Sequence, residues 1–301
     1  MDFYKKIFRS KKLRFRILAM LRFIPDLPML RLQYRIKCGR KLDLREPVRY
    51  TEKMQWYKLY YRDPVMRQCA DKYMVREYVQ SKGLGHILND LYAVFATPEQ
   101  IDLSVLPEKF VLKVSNGSST NLLCQDKSVL EPEQVRQKFR DFLAQSGSSA
   151  GREWVYSGGK PVIIAEQLLE DPDQPNGALR DYKILCFGGE PAYIICVDGR
   201  YTDRYCHVVY DPQWNKQDVT IGQSSSAADY EKPENLEQML QIARTLSADF
   251  PAARVDLYSI SGRIYFGEIT FFPWSGYMRF TPDSFDRTLG DAFVLPEKNH
   301  E

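Results

Sequence analysis

Two alternately patterned runs flank a Ser-Gly pair in Arg254-Val-Asp256-Leu-Tyr-Ser-Ile-Ser-Gly262-Arg-Ile-Tyr-Phe-Gly-Glu268-Ile-Thr270. Alternation with period 2 around such a turn specifies an antiparallel hairpin with one apolar and one polar face. A three-residue loop, Ile260-Ser261-Gly262, places Ser259 opposite Arg263 and Asp256 opposite Phe266. Even-numbered residues then share a face, so Arg254, Asp256, Glu268 and Thr270 point one way. Val255, Leu257, Tyr265 and Ile269 form the buried side. Asp256 and Glu268 become diagonal neighbours, roughly 7–8 Å apart at the backbone, within joint reach of one cation. Oxygen ligands of this kind suit Mg²⁺ shared with substrate phosphates. The same residues also read as a plain hairpin with one wet face, and alone they leave both readings open.

The rest of the chain alternates helices and strands. Helices are predicted over Thr51–Tyr61, Val65–Ser81, Pro132–Gln145 and Pro233–Ala248. Strands are predicted over Lys109–Val114, Val162–Gln167, Tyr182–Phe187 and Ala192–Val197, with a second hairpin turn at Gly188-Gly189. In Phe110-Val-Leu-Lys113-Val-Ser-Asn116-Gly117-Ser118-Ser119-Thr120 a strand bearing one lysine enters a loop of small and hydroxyl residues. Backbone N–H groups of such a loop can approach an anion while the lysine adds charge. It is no Walker A motif, since no Gly-Lys-Ser/Thr follows, and an ordinary Asn-Gly turn has the same appearance. Lys183, among Ile, Leu, Cys and Phe, must snorkel or find an anion. Glu166 ends an apolar run that opens into the acidic stretch Glu170-Asp171-Pro-Asp173.

With 13% aromatic residues the chain has ample material for a core, which excludes bulk disorder. Six cysteines without a Cys-x-x-Cys pair, and three histidines, argue against structural zinc and for reduced thiols in the cytoplasm. Residues 1–50 carry 15 Lys and Arg against 4 Asp and Glu, while the remainder carries 27 against 35. Such a basic end suits an acidic partner or a membrane surface. Phe3, Ile7, Leu13, Ile17 and Leu21 interleave with basic residues as in an interfacial helix, so peripheral contact with the inner face of a membrane is expected of residues 1–20. A face docked on the protein's own core is the competing expectation. No stretch reads as a membrane span or a clean signal peptide. Nucleic-acid binding is not expected, for no zinc, RNA-recognition or helix-turn-helix signature accompanies the basic end.

The ordered set of these pieces resembles the ATP-grasp superfamily, and more narrowly its TupA-like branch, named for teichuronopeptide biosynthesis. The resemblance covers about residues 40–290. Its marks are Thr-Glu-Lys-Met-Gln-Trp-Tyr-Lys-Leu-Tyr (51–60), Ala-Asp-Lys-Tyr-Met-Val-Arg-Glu-Tyr-Val (70–79), Gly151-Arg-Glu-Trp154, Arg-Val-Asp-Leu-Tyr (254–258), Phe-Gly-Glu-Ile-Thr-Phe (266–271) and Gly276. It implies an α+β ATP-grasp fold with two subdomains clasping ATP, over residues 51–295, with a lid at about 108–165 and a basic helical extension at 1–50. By that resemblance Lys72 and Lys113 contact nucleotide phosphates beneath a lid of Asn116, Gly117, Ser118, Ser119 and Thr120. Glu166 takes the adenine amino group, Leu169 offers backbone to the ring, and Glu170 or Asp173 holds the ribose. Lys183 lies near the phosphates, Arg254 stabilises the transferring phosphoryl group, and Asp256 and Glu268 bind Mg²⁺. The sequence departs from the wider pattern at Thr270, where Asn is common, and at Trp274, where Gly is usual; its lid is also poor in Gly. The implied activity is an ATP-dependent carboxylate–amine ligase working through an acyl phosphate. Its implied partners are an amino acid and a carboxylated sugar or polysaccharide precursor of capsule, exopolysaccharide or teichuronopeptide type. A glycosyltransferase of polysaccharide biosynthesis and a non-catalytic ATP-binding scaffold are the alternatives.

Overall fold

The computed structural model describes residues 21–145, 151–174, 179–199, 205–224 and 227–300. The interfacial helix expected over residues 1–20 lies outside them. Seven α-helices are described: α1 (Asp26–Cys38), α2 (Tyr50–Tyr60), α3 (Pro64–Ala70), α4 (Val75–Ser81), α5 (Pro132–Gln145), α6 (Leu236–Ser247) and α7 (Phe285–Ala292).

Two antiparallel sheets organise the molecule. The smaller combines β1 (Leu91–Phe95), β2 (Phe110–Val114), β3 (Asn121–Cys124) and β4 (Ile163–Glu166) in the order β1-β4-β2-β3. Its apolar face packs under α5 through Phe110, Leu112, Val135, Phe139 and Ile163. The larger combines β5 (Asp181–Phe187), β6 (Glu190–Asp198), β7 (Cys206–Tyr210), β9 (Ala252–Ile260) and β10 (Arg263–Thr270) in the order β10-β9-β5-β6-β7. Helix α6 buries Leu236, Met239, Leu240, Ala243 and Leu246 against it, the stripe that its 3.6-residue periodicity requires. A short pair, β8 (Thr220–Ile221) with β11 (Phe280–Thr281), completes the strands. Helix α1 ends at Gly39 in the left-handed conformation, and its Leu30 and Tyr34 are buried with Leu42 and Tyr277 while Leu32 and Ile36 stay exposed. Among the described residues no helix is long and apolar enough to cross a membrane.

The structure corrects two local expectations. The helix expected over Val65–Ser81 is broken at residues 71–74. There Asp71 Oδ1 accepts from the Tyr73 and Met74 backbone N–H groups at 2.9 and 3.0 Å, and the Lys72 N–H donates to Ser115 O at 2.8 Å. An aspartate that caps locally in this way competes with the helical ladder. The β9–β10 hairpin also turns over two residues rather than three: Ile260 pairs with Arg263, and Ser261 and Gly262 have φ of 47° and 79°. That is the backbone of a type I′ hairpin turn. Continued regularly, this register would send Glu268 to the face opposite Asp256. A bulge at Gly267 prevents it. Phe266 pairs with Leu257, Gly267 is passed over, and Glu268 then pairs directly with Asp256 and Thr270 with Arg254. Near the turn the expected faces are therefore exchanged: Ile264 and Phe266 are buried, whereas Tyr265 is half-buried beneath the Arg263 guanidinium.

Candidate active site

The polar face of the β9–β10 hairpin carries a dense charge cluster. Arg254 donates from Nε to Asp256 Oδ1 at 2.6 Å. Its Nη2 meets three oxygens at once: Asp256 Oδ2 at 2.8 Å, Glu268 Oε1 at 2.9 Å and Thr270 Oγ1 at 3.0 Å. Lys183 on β5 pairs in register with Asp256 on β9, donates to Asp256 Oδ2 and lies 3.7 Å from Asp181. Arg254, Asp256 and Lys183 are buried, while the Glu268 side chain is 44% exposed. Arg254, Asp256, Glu268 and Thr270 thus share one face, with the two carboxylates opposed rather than diagonal.

Environment separates the two acids. Burial pushes the Asp256 carboxyl up from its ordinary value, against the pull of Arg254 and Lys183. For Glu268 the desolvation is outweighed by Arg254, Lys183 and Lys72, which hold it at about 2. Burial opposes the charge on Arg254, but Asp256 and Glu268 more than offset this and raise its pKa.

A second group gathers where β2 leaves the small sheet. Lys72, in the break between α3 and α4, donates from Nζ to Gly117 O at 2.6 Å. Its backbone position is fixed through Ser115, whose hydroxyl donates to Asp71 Oδ2 at 2.6 Å. Burial pushes the Lys72 amine down, opposed by the nearby charge of Glu268; Lys113 and Glu166 act on it too. Lys72 therefore stands within electrostatic range of both sheets' charged residues. In the loop between β2 and β3, Ser118 and Ser119 are exposed and Ser119 has φ of 59°. Gly117 packs so closely on Thr120 that a Cβ would fall 2.1 Å from Oγ1. Asn116 Oδ1 and Thr120 Oγ1 are buried and find no hydrogen-bond partner among the described residues.

Glu166 at the end of β4 holds two cations: Lys113 Nζ at 2.7 Å and Arg76 Nη1 at 3.3 Å. Beyond it, Leu169 is half-buried, and Glu170 pairs with Lys109 at 2.7 Å. The Asp173 N–H donates to Asp171 Oδ1 at 3.1 Å, and its carboxylate lies 3.5 Å from Ser261 Oγ. Arg76, Gln55, Lys58 and Tyr156 carry no local sequence signal of a site role. Arg76 ties α4 to Asn89 and Glu166, a contact between distant segments that no local pattern announces. Tyr156 lies within electrostatic range of Glu268, Arg254 and Asp256. Lys58 and Gln55 stand in the 51–60 run, and their partners are backbone carbonyls in residues 151 and 275–276.

Asp256, Glu268 and Thr270 supply oxygens of the kind a hard divalent cation takes. Asp256 Oδ2, Glu268 Oε1 and Thr270 Oγ1 all converge on one cationic nitrogen, and two of the three belong to carboxylates. No cluster of three or more His, Cys, Asp or Glu ligands occurs among the described residues. A cation here would therefore take its remaining ligands from elsewhere.

Two antiparallel sheets, one with a small-residue loop held by Lys72 and the other with paired carboxylates beside a lysine and an arginine, form the frame of an ATP-grasp protein. The family model "TupA-like ATPgrasp" matches residues 52–294, and the chain belongs to that family. Among solved structures it is similar to D-alanine–D-alanine ligase from Bacillus anthracis complexed with ATP, at 14% identity and a TM-score of 0.40, covering 73% of this chain and 55% of that one. It is similar to the L-amino acid ligase from Bacillus licheniformis, at 17% identity and a TM-score of 0.44, covering 79% and 51%. It is also similar to the D-cycloserine synthetase DcsG, at 15% identity and a TM-score of 0.42, covering 77% and 72%. The chain thus spans a little over half the length of the first two. No curated protein matches it.

Proposed function

We propose that this protein is an ATP-dependent ligase that joins a carboxylate to an amine, with a carboxylated sugar or polysaccharide precursor as one substrate and an amino acid as the other. The observation that carries it is the convergence of Arg254, Lys183, Asp256 and Glu268 on one face, with Lys72 coupling that face to the loop at 116–120. The family setting supports the sugar. In this reading Lys72, Lys113 and the N–H groups of the loop hold the ATP phosphates, and the orphaned Thr120 hydroxyl has a bond to offer there. Glu166, Leu169 and Glu170 or Asp173 serve adenine and ribose.

A carboxylate oxygen of the sugar attacks the γ-phosphorus. The bond to the β–γ bridging oxygen breaks, ADP departs and an acyl phosphate forms. Lys183 and Arg254 offset the charge on the transferring group. The amine then attacks the acyl carbon, the bond to the phosphate oxygen breaks, inorganic phosphate leaves and the nitrogen gives its proton to water. Mg²⁺, held by Asp256 and Glu268 with Thr270 beside them, would supply charge neutralisation at the phosphates. No nucleophile of the protein is consumed.

The test is ADP release from the full chain with Mg-ATP, screened over paired uronic acids and amino acids, with amide product identified by mass. Release that requires both partners and yields equimolar amide is expected. ATP binding without ADP release under any pairing would overturn the reading.

A further inference from the structure

After β10 the chain turns through Pro273–Gly276 in a left-handed arc: Trp274, Ser275 and Gly276 have φ of 49°, 55° and 68°. A bulky residue at positive φ is strained and persists only where its surroundings impose it. Here α2 imposes it. Lys58 Nζ donates to Ser275 O at 3.0 Å, Gly151 O at 2.8 Å and Gln55 Oε1 at 3.0 Å. Gln55 Nε2 donates to Gly276 O at 2.9 Å and to Ser275 O at 3.2 Å. The three segments close without room for another side chain. A Cβ on Gly276 would fall 2.5 Å from Gln55 Nε2, and one on Gly151 would fall 2.4 Å from Ser275 Oγ. Lys58 is 2% exposed, and these three bonds all end on neutral oxygens. An ammonium buried in that way carries a desolvation cost that packing alone does not ask for.

What the clamped arc delivers is Trp274 beside Arg254. The guanidinium lies over the indole, 5.4 Å from the ring centre. Its Nε and Nη2 are committed to Asp256, Glu268 and Thr270, whereas Nη1 makes no hydrogen bond among the described residues. The committed nitrogens form one edge of the planar group. Hydrogen bonds along that edge fix its place, and the ring opposes rocking about it, which sets where Nη1 points.

We propose that Lys58 and Gln55 are positioning residues for Arg254: they lock the arc so that Trp274 steadies the guanidinium plane and Nη1 is presented to the transferring phosphoryl group. The proposal rests on the ligase reading above.

The experiment uses the full chain, Mg-ATP and the substrate pair found by the screen above. Lys58→Met, Trp274→Leu and their double variant are compared with the parent. Trp274→Phe is the conservative variant, and Gln55→Leu opens the clamp a second way should Lys58→Met not fold. ADP release is followed well below each Tm. Lys58→Met and Trp274→Leu should each lower kcat about tenfold and leave KM for ATP within about twofold, the split expected of lost positioning rather than lost binding. The double variant should fall no further than Trp274→Leu alone, because the clamp acts through that ring. Trp274→Phe keeps a ring over Arg254 and should retain most of the turnover. A second readout needs no substrate. The emission of Trp274 is isolated by subtracting the matching Trp274→Phe protein, since the chain has 4 tryptophans. Acrylamide should quench it more strongly once Lys58 or Gln55 is replaced. Losses in kcat that add in the double variant, a loss confined to KM, or a lowered Tm with kcat and quenching unchanged would overturn the proposal. The two readings fail separately. A parent that releases no ADP with any pair removes the ligase, whereas an active parent matched by its clamp variants removes the positioning role.

Discussion

Asp256 and Glu268 face each other across one rung of the hairpin, yet they differ in what their loss should do. Asp256 is 2% exposed and holds two buried cations, so Asp256→Asn leaves charge imperfectly paired inside the protein. Unfolding in urea should show a cost of about 3–5 kcal/mol together with lost turnover. Glu268, nearly half exposed, should give a cleaner separation. Glu268→Gln should lower ADP release at least about a hundredfold, while stability changes by no more than about 1 kcal/mol. Wild-type turnover in Glu268→Gln would remove it from the site. The depressed Glu268 carboxyl also has a pH signature. Its stabilising contribution is complete above its ordinary value near 4.5 and is lost as pH falls towards about 2, a slope that Glu268→Gln should abolish in acid titrations followed by circular dichroism.

At the scale of elements, strand identity was easier to read than register. The alternating run from Arg254 to Thr270 announced a hairpin, and its charged face was legible from residue parity. A three-residue loop, the length the Ile260-Ser261-Gly262 run suggests, would set the two carboxylates diagonally. The two-residue turn and the bulge at Gly267 together shift the pairing so that Asp256 and Glu268 meet directly. A bulge leaves no mark in periodicity other than a glycine, and glycine has many other uses. The break after Ala70 was hidden for a similar reason. Residues 65–81 carry helical periodicity throughout, and the interruption is held by the Asp71 caps together with the tertiary bond from Lys72 N–H to Ser115 O. Asp71→Ala removes the caps on Tyr73 and Met74 and the anchor to Ser115. It should cost about 1 kcal/mol in stability and loosen Lys72, lowering ATP affinity more than the stability loss explains. Calorimetry with ATP checks this. Lys58 provides a second test. Burial pushes its amine down to about 7, so the unfolded chain binds the extra proton between about 7 and its ordinary 10.5. Stability should therefore rise with pH across that window, and Lys58→Met should flatten the rise.

For the molecule as a whole, the basic N-terminal region is tied to the rest of the protein from residue 21 onward. Arg152 reaches back to Leu21 O, Ile24 O and Asp26 at 2.8–2.9 Å, and Leu30 and Tyr34 are buried with Tyr277. Segment 21–38 is therefore part of the folded body. A chain starting at residue 21 should melt near the parent's Tm, whereas one starting at residue 41 should aggregate or melt much lower. If residues 1–20 lie on anionic lipid, the shorter cut alone should abolish salt-sensitive co-sedimentation with phosphatidylserine vesicles. Vesicle binding that survives that cut would defeat the idea.

The bulge has a consequence for how this chain can change length. Surface loops are where proteins ordinarily gain and lose residues, and strands inside a sheet are where they do not. Here the rule inverts at one place. Gly267 has no partner across the ladder, and the pairs on either side of it, Phe266 with Leu257 and Glu268 with Asp256, are consecutive on β9. Excising that single residue would splice the two halves of β10 into an unbroken strand, with every pairing on either side preserved. Adding atoms to it is the harder change, because a Cβ would press within 2.9 Å of the Asp256 carbonyl oxygen. A gap in the middle of this strand should thus be tolerated better than the mildest substitution, Gly267→Ala, a ranking that melting curves of the two variants would reveal.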